Sequence, residues 1–208
     1  MGARSKIVSL QPNRYGIPAK EMTPHVRMAL AALEQKIEAL NARVGELADL
    51  ADRDPLIPVL NRRAFLEALQ RTTAFVQRYG GDAAVIYIDL DAFKSINDNF
   101  GHPTGDAVLR HVGRVLLESV RETDMVGRIG GDEFAVILAQ SNLEDAKRKA
   151  AKLQAAISAA PCVHEGLEHI VSASFGVHPI ARTEDAEAAL ARADEAMYAN
   201  KKRVRATA

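Results

Sequence analysis

Two groups of carboxylates are the residues of this sequence best suited to chemistry. Asp89 and Asp91 follow an apolar segment that predicts a buried strand, and Asp132 and Glu133 follow Gly130-Gly131, where a hairpin turn is expected. Carboxylates without a neighbouring His or Cys suit a hard cation such as Mg²⁺ or Mn²⁺. Such a site could hold a nucleoside triphosphate and assist phosphoryl-type transfer with two metal ions. The alternative is that Asp89 and Asp91 merely end a strand.

The elements around these carboxylates predict that they converge. Periodicity and turn residues predict helices over 61–79, 105–120, 142–159 and 184–202, and strands over 83–88, 125–129, 133–139 and 170–177, with a polar loop after the first strand. The central β-α-β-β-α-β order is typical of a ferredoxin-like α+β fold, an antiparallel-rich sheet flanked by helices. In that sheet the first strand lies beside the hairpin, although Asp89 and Asp132 are about 43 residues apart in the chain.

A heptad repeat precedes this domain. Over residues 22–52 apolar side chains alternate at spacings of four and three, at Val26, Leu30, Leu33, Ile37, Leu40, Val44, Leu47 and Ala51. Partly β-branched a positions and mostly Leu d positions favour a parallel two-stranded coiled coil, and hence a homodimer. Thr23-Pro24 is a suitable helix start, and Pro55 and Pro58 end the repeat. The alternative is an amphipathic helix packed on its own domain.

The remaining composition narrows the function classes. Lys plus Arg and Asp plus Glu both number 27, so the overall charge gives no case for binding nucleic acid or an anionic membrane. The single cysteine, Cys162, excludes an intramolecular disulfide and a multi-cysteine zinc site. Apolar runs are far shorter than the roughly 20 residues of a membrane span, and no signal-peptide stretch opens the chain, so we expect a cytoplasmic protein. Residues 1–21 predict a flexible basic tail; the alternative is a docking segment for a protein partner.

The Gly130-Gly131-Asp132-Glu133-Phe134 segment belongs to a series of motifs that resembles the GGDEF family of diguanylate cyclases. The resemblance covers about residues 54–205, within a domain of 53–208. The matching segments, in order, are 54–56 (DPL), 61–63 (NRR), 89–98 (DLDAFKSIND), 100–102 (FGH), 105–106 (GD), 121–124 (RETD), 127–134 (GRIGGDEF), 172–177 (SASFGV), 193–198 (ADEAMY) and Lys201.

The resemblance implies an enzyme that joins two GTP molecules into cyclic di-GMP and releases two pyrophosphates. Each protomer would hold one GTP, and two domains of a nucleotide cyclase or polymerase-palm type would meet face to face. Asp89, the Leu90 carbonyl and Asp132 would bind metal ions, two Mg²⁺ (or Mn²⁺) per GTP half-site. Glu133 would be a further metal ligand, the base for the attacking 3′-hydroxyl, or both.

The resemblance also implies GTP contacts. Asn97 and Asp106 match the guanine-binding positions, although Asp106 could equally be a helix N-cap. The triphosphate contacts would be the Phe93 and Lys94 amides together with the side chains of Lys201 and Arg205. The alternative for the last two is a basic run at a helix C-terminus, where cations are favourable in any case.

A third implied site would bind the product as a feedback inhibitor. Arg121 and Asp124 form an Arg-x-x-Asp motif with five residues between Asp124 and Gly130, and Lys152 falls at a secondary basic position. Arginine can pair with phosphate and stack on guanine, and aspartate can accept from the guanine edge. The alternative is an exposed turn that closes a helix.

Two departures from the family pattern are visible. Ile57-Pro58 stands where the family usually has Thr-Gly, and Val204 replaces a usual Gly before Arg205. The intact catalytic and guanine motifs favour an active enzyme. The alternatives are a catalytically silent GGDEF module that binds cyclic di-GMP or GTP and signals, and a coiled-coil scaffold with a merely structural domain.

Overall fold

A computed structural model of the protein describes residue 18 and residues 21–207, except for the side chains of 45–49 and 204–207. The predicted basic tail therefore lies almost entirely outside the described residues. The chain divides into two units between Ala51 and Asp52. The helices are α1 (Pro24–Asp52), α2 (Arg62–Tyr79), α3 (Phe93–Phe100), α4 (His102–Ser119), α5 (Leu143–Ala159) and α6 (Ala186–Thr207). The strands are β1 (Ala83–Leu90), β2 (Met125–Arg128), β3 (Glu133–Ala139), β4 (Cys162–His164), β5 (Leu167–His169) and β6 (Ala173–Pro179).

The first unit contains α1, the helix that the heptad repeat predicts. The helix begins as expected, because the Thr23 hydroxyl accepts a hydrogen bond from the Val26 amide at 3.2 Å. Four consecutive heptad side chains lie open to solvent: Leu33, Ile37, Leu40 and Val44 are each between 55 and 64% exposed. The helix is confirmed, and its pairing with a second copy stays a prediction.

In the second unit a four-stranded sheet has the order β2-β3-β1-β6, and every neighbouring pair is antiparallel. Together with the order of helices and strands along the chain, this strand order confirms the predicted ferredoxin-like α+β fold. Helices α4 and α5 cover one face of the sheet, and α2 and α6 cover the other. Strand β1 is buried on both faces, which explains its continuous apolar sequence. None of the described helices is both long and apolar enough to cross a lipid bilayer.

Several element boundaries differ from the prediction. Helix α3 occupies the segment predicted as a polar loop, and α4 begins at His102 rather than at residue 105. No side-chain cap marks the start of α3, since its N-cap Ala92 has no side-chain oxygen to accept a hydrogen bond. Gly101 both ends α3 and begins α4. Sequence patterns therefore offer no start signal for α3, whereas Pro103 in the first turn of α4 is a start signal that the prediction did not use.

Differences in the last third of the chain have other reasons. Strands β4 and β5 have three residues each, too few for an alternating pattern to be recognised. Strand β6 begins at Ala173 and not at residue 170, because its first partner is Leu90, the last residue of β1. Ile170 lies before that pairing and is 80% exposed. The last helix begins at Ala186, two residues later than predicted.

The linker after α1 is tied into the core at one of the departures from the family pattern. Ile57 is 2% exposed, and a Cβ built on Gly113 of α4 would lie 2.3 Å from Ile57 Cγ2. Only glycine therefore lets the linker approach α4 this closely. The Asp54 carboxylate fixes the same turn by accepting hydrogen bonds from the Leu56 and Ile57 amides at 2.9 and 3.1 Å.

Candidate active site

The acidic groups predicted to converge do so at one end of the sheet. Asp89 of β1 lies directly opposite Glu133 of β3 in the antiparallel register. One residue further along, the Leu90 amide donates to the Asp132 carbonyl at 3.1 Å. Side chains directly opposite each other lie on the same face of a sheet. Asp89 and Glu133 therefore share a face, and the turn that carries Asp132 is hydrogen-bonded to the end of β1.

A lysine from the far end of the chain reaches this acidic cluster. The Lys201 ammonium of α6 forms an ion pair with Asp89 and lies 3.8 Å from Asp91 Oδ1. Both side chains of the first pair are less than one fifth exposed. Asp91 is held on its other side by Ser174, whose hydroxyl donates to Asp91 Oδ1 at 2.8 Å. One cation thus balances two carboxylates across about 110 residues of sequence.

Arg128, to which the sequence analysis gave no role, holds the hairpin turn. Its guanidinium donates to the Gly130 carbonyl at 3.2 Å and to the Gly131 carbonyl at 2.7 Å. It also pairs with Asp54 Oδ1 at 3.3 Å, and both side chains are less than one fifth exposed. The linker is therefore connected to the turn before Asp132 through a single side chain. Its place directly before Ile129-Gly130-Gly131 was the signal that could have identified it.

Glu133 has two close neighbours besides Asp89. A Cβ built on Gly130 would lie 2.0 Å from Glu133 Oε2, so the carboxylate rests against the bare Cα of that glycine. Tyr87, also on β1, is 6% exposed and is the diagonal cross-strand neighbour of Glu133. Burial, followed by the negative charge of Glu133, raises the pKa of the Tyr87 phenol. The phenol is consequently protonated near neutral pH.

The start of α3 provides backbone donors next to the acidic cluster. Ala92 follows Asp91 with φ 54°, a left-handed conformation that a non-glycine residue adopts only at a cost in free energy. Helix α3 begins at the next residue, so the Phe93 and Lys94 amides are the first N–H groups of the helix. Such amides lack intrahelical acceptors and suit an anion such as phosphate.

The two predicted guanine contacts lie on adjoining helices. A Cβ on Gly105 of α4 would lie 1.9 Å from Asn97 Oδ1 of α3, so Asn97 packs against the residue before Asp106. Asp106 lies inside α4, whose N-cap is Gly101, so the alternative that Asp106 caps the helix is wrong. The carboxylate is about half exposed and 4.0 Å from Arg110, which leaves it accessible to a ligand.

The donor chemistry of the acidic end fits a divalent cation. The part of the chain that the structure describes contains no ready-made cluster of three Asp, Glu, His or Cys side chains around one point. Asp89, Asp132 and Glu133 nevertheless offer only oxygen donors, which Mg²⁺ and Mn²⁺ prefer. The Lys201 ammonium already lies at Asp89, which shows that this carboxylate faces a position suited to positive charge.

A separate cavity contains all three residues predicted for product inhibition. Arg121, Asp124 and Lys152 line a space of about 290 Å³ together with two further cations of α5, Arg148 and Lys149. Asp124 Oδ2 accepts a hydrogen bond from the Arg121 amide at 3.1 Å, which closes the turn. Arg121 and Asp124 therefore form a turn, as the alternative predicts, and also line one cavity with Lys152, as a binding site requires. The side chain of Arg205, predicted to bind phosphate, lies outside the described residues.

Comparison with known proteins identifies the family. Residues 51–207 match the family model described as diguanylate cyclase, GGDEF domain, and the chain belongs to that family. Diguanylate cyclase DgcP of Pseudomonas aeruginosa is 36% identical over 171 residues, which are 82% of this chain and 26% of DgcP. The chain spans less than two thirds of the length of this and other curated relatives it matches.

Solved structures give the same result. The coiled coil and GGDEF domain of DgcB from Caulobacter crescentus, in complex with c-di-GMP, superposes with a TM-score of 0.77 at 26% identity; 85% of this chain and 94% of that chain are covered. Diguanylate cyclase SiaD of Pseudomonas aeruginosa, in complex with its activator SiaC, gives 0.70 at 28% identity, with 86% and 76% covered. The fold is therefore that of the GGDEF family.

Proposed function

We propose that the protein is a diguanylate cyclase that condenses two GTP molecules into cyclic di-GMP and two pyrophosphates. The observation that carries this proposal is the pairing of Asp89 with Glu133 beside the Asp132 turn, with Lys201 at the same point. Several curated relatives are named diguanylate cyclases, which supports the same reaction.

In this proposal the acidic end holds divalent metal ions, which enzymes of this family use. Asp89, the Leu90 carbonyl, Asp132 and Glu133 would bind two Mg²⁺ or Mn²⁺ per half-site. When bound, these ions neutralise triphosphate charge and make the attacking hydroxyl more acidic. Lys201, which lies at Asp89 and Asp91, would contact the phosphates, and the Phe93 and Lys94 amides at the start of α3 would bind phosphate oxygens. Arg205 is the further phosphate contact that we propose.

The guanine base would lie between α3 and α4. The Asp106 carboxylate accepts from guanine N1–H and N2–H₂, and the Asn97 amide offers both a donor and an acceptor. Adenine lacks that pair of donors on the same edge, so Asp106 distinguishes GTP from ATP. The close approach of Asn97 to Gly105 supports a shared pocket for the two side chains.

Each half-site supplies one nucleophile and one electrophile. The 3′-hydroxyl of one GTP attacks the α-phosphorus of the other, a new P–O3′ bond forms, and the bond to the β-phosphate breaks to release pyrophosphate. Glu133 accepts the hydroxyl proton. A second, identical step closes the ring. Two domains must therefore meet face to face, and we propose that a parallel coiled coil of residues 22–52 holds them together.

The regulatory inputs are also proposals. The SiaD complex with its activator supports a protein partner for members of this family. For this chain we propose the basic tail, residues 1–21, as the docking segment. The Arg121, Asp124 and Lys152 cavity is the proposed feedback site, since its positive charge suits a ligand with two phosphates and two guanines.

Incubation of the purified chain with GTP and Mg²⁺, followed by anion-exchange chromatography, tests the catalytic proposal. Cyclic di-GMP and two equivalents of pyrophosphate are expected, and ATP should give no cyclic product. Binding of cyclic di-GMP without any turnover would instead support the silent GGDEF module.

Replacing Arg121 with alanine tests the feedback site. A hydrogen bond to a charged group contributes about 1.5–3 kcal/mol, so Arg121→Ala should weaken cyclic di-GMP binding by roughly ten- to a hundredfold. The initial rate should stay close to that of the wild type, and more product should accumulate before the reaction slows. Calorimetric titration of cyclic di-GMP measures the affinity.

Arg114→Ala is a matched control for this titration. Arg114 is an exposed arginine of α4 that pairs with Glu118 and does not line the cavity. Its loss should leave the affinity unchanged. Equal affinities for the wild type and Arg121→Ala would show that the Arg121 turn is only structural.

A further inference from the structure

The packing of α6 brings Lys201 to the acidic end of the sheet. Ala193 and Met197, which precede it at intervals of four residues, are buried. Residues four apart share a helix face, so Lys201 lies on the face of α6 that packs against the sheet. The residue before it, Asn200, donates its side-chain amide to the Phe175 carbonyl of β6 at 2.9 Å. The fold therefore sets the position of the Lys201 side chain, which is only 16% exposed.

At that position the Lys201 ammonium faces two carboxylates. It forms an ion pair with Asp89 and lies 3.8 Å from Asp91 Oδ1. The Ser174 hydroxyl fixes Asp91 by donating to the same Oδ1 at 2.8 Å. All three charged side chains are less than one third exposed, so water screens their charges less than it does at an open surface. The lysine consequently offsets much of the negative charge that would attract a divalent cation.

Asp89 therefore has two competing partners. The proposed cyclase uses it to bind a metal ion, whereas the structure pairs it with a lysine. A positive charge at one carboxylate oxygen repels a second cation at the same carboxylate. A triphosphate carries several negative charges, so it offers the lysine a stronger ionic partner than one aspartate does.

We propose that Lys201 competes with the divalent ions for Asp89 and yields this carboxylate when it pairs with the triphosphate. Lys201 would thus make metal binding depend on the nucleotide. The coupling is reciprocal, because an effect of nucleotide on metal affinity requires an equal effect of metal on nucleotide affinity. The proposal rests on the proposed cyclase function, which assigns Asp89 to metal and Lys201 to phosphate.

A lysine that only contacts phosphate predicts a different result. Its loss would weaken nucleotide binding and leave the metal affinity of the nucleotide-free protein unchanged. A lysine that competes with the metal predicts two changes of opposite sign. Without it, metal binds more tightly in the absence of nucleotide, and nucleotide binds more weakly in the presence of metal.

Lys201→Met removes the charge and keeps the apolar part of the side chain. In the nucleotide-free protein its Mn²⁺ affinity, measured by electron paramagnetic resonance, should rise by roughly 5- to 150-fold, the usual range for coupled sites. With Mn²⁺ present, its affinity for a non-hydrolysable GTP analogue should fall by roughly ten- to a hundredfold. Lys202→Met is the matched control, since that ammonium lies over the Tyr198 ring, 4.4 Å from its centroid. It should change neither affinity.

Two further variants test whether charge at this site is the cause. Lys201→Arg keeps the positive charge and should keep the weak Mn²⁺ binding of the nucleotide-free wild type. Adding Asp132→Asn to Lys201→Met should abolish the gain, because the gain requires the proposed metal ligands. Thermal unfolding checks that each variant is folded, and Lys201→Gln, whose amide can still donate to Asp89, replaces Lys201→Met if the latter unfolds.

Unchanged or weaker Mn²⁺ binding in the nucleotide-free, folded Lys201→Met or Lys201→Gln protein would overturn the proposal. So would an equal gain in Lys202→Met. Failure of the cyclase function itself would appear differently, as a wild-type protein that forms no cyclic di-GMP.

Discussion

Asp132→Asn is expected to lower the initial rate of cyclic di-GMP formation by at least about 100-fold, because it would remove one of the charged oxygens that we propose bind the metal ions. Asparagine has nearly the same shape, so the turn should persist. The backbone hydrogen bond from the Leu90 amide to the Asp132 carbonyl does not involve the side chain. Arg128 holds the turn through the Gly130 and Gly131 carbonyls, which also remain. Chromatography of the nucleotides measures the rate, and circular dichroism checks the fold.

Asp132 suits this test better than Asp89, because its replacement affects fewer other charged groups. Lys201 is paired with Asp89, so Asp89→Asn would also release a partly buried lysine that we assign to phosphate binding. A loss of activity in Asp89→Asn could then come from weaker metal binding or from altered phosphate binding, and the rate would not distinguish the two. No ion pair to Asp132 is among those found in the described residues, so its replacement changes the carboxylate alone.

Asp82→Asn is the matched control for Asp132→Asn. Asp82 is exposed and lies in the loop before β1, at the opposite end of that strand from Asp89. The same change of carboxylate to amide should therefore leave the rate unaltered. An Asp132→Asn enzyme that keeps more than about a tenth of the wild-type rate would contradict the assignment of Asp132 as a metal ligand.

The convergence of the carboxylates could be predicted from the sequence because it depends on topology. An apolar strand ending in Asp89 and a Gly-Gly hairpin followed by Glu133 are each visible locally, and the ferredoxin-like order places them side by side. The observed register, with Asp89 opposite Glu133, confirms that inference. The topology depends on the order of the elements and not on where each begins or ends, so errors of three and two residues at the starts of β6 and α6 do not change it.

Contacts made by individual side chains across the fold could not be predicted in the same way. Arg128 and Asp54 are 74 residues apart, and Lys201 and Asp89 are 112 residues apart. No local periodicity indicates which of the chain's many charged residues will meet. Tyr87 resembles any other residue of a buried apolar strand, and only the register reveals that it faces Glu133. These residues depend on tertiary pairing, which sequence periods do not encode.

Disrupting the predicted coiled coil should remove most activity at low protein concentration. Leu33 and Leu40 occupy successive d positions of α1 and are 55 and 64% exposed in the described helix. Glutamate at both positions would place like charges in the coil seam and prevent pairing. In the proposed reaction each domain holds one GTP half-site, so tethering the two domains should strengthen their association by a factor on the order of 10²–10⁴. At nanomolar enzyme, Leu33→Glu with Leu40→Glu should reduce the specific activity by at least about 100-fold.

Kinetic order identifies the cause of this loss. In the doubly substituted protein the initial rate should rise with the square of enzyme concentration, and light scattering should show a monomer, whereas the wild type should give a linear dependence and a dimer. Ala32→Glu with Ala39→Glu adds the same charges one residue earlier, at c positions that face away from the seam, and should keep wild-type behaviour. A Leu33→Glu, Leu40→Glu protein that is monomeric yet fully active at nanomolar concentration would show that the two half-sites meet without the coil. In that case the heptad face of α1 would have another use, and the two catalytic domains would have to associate through their own surfaces.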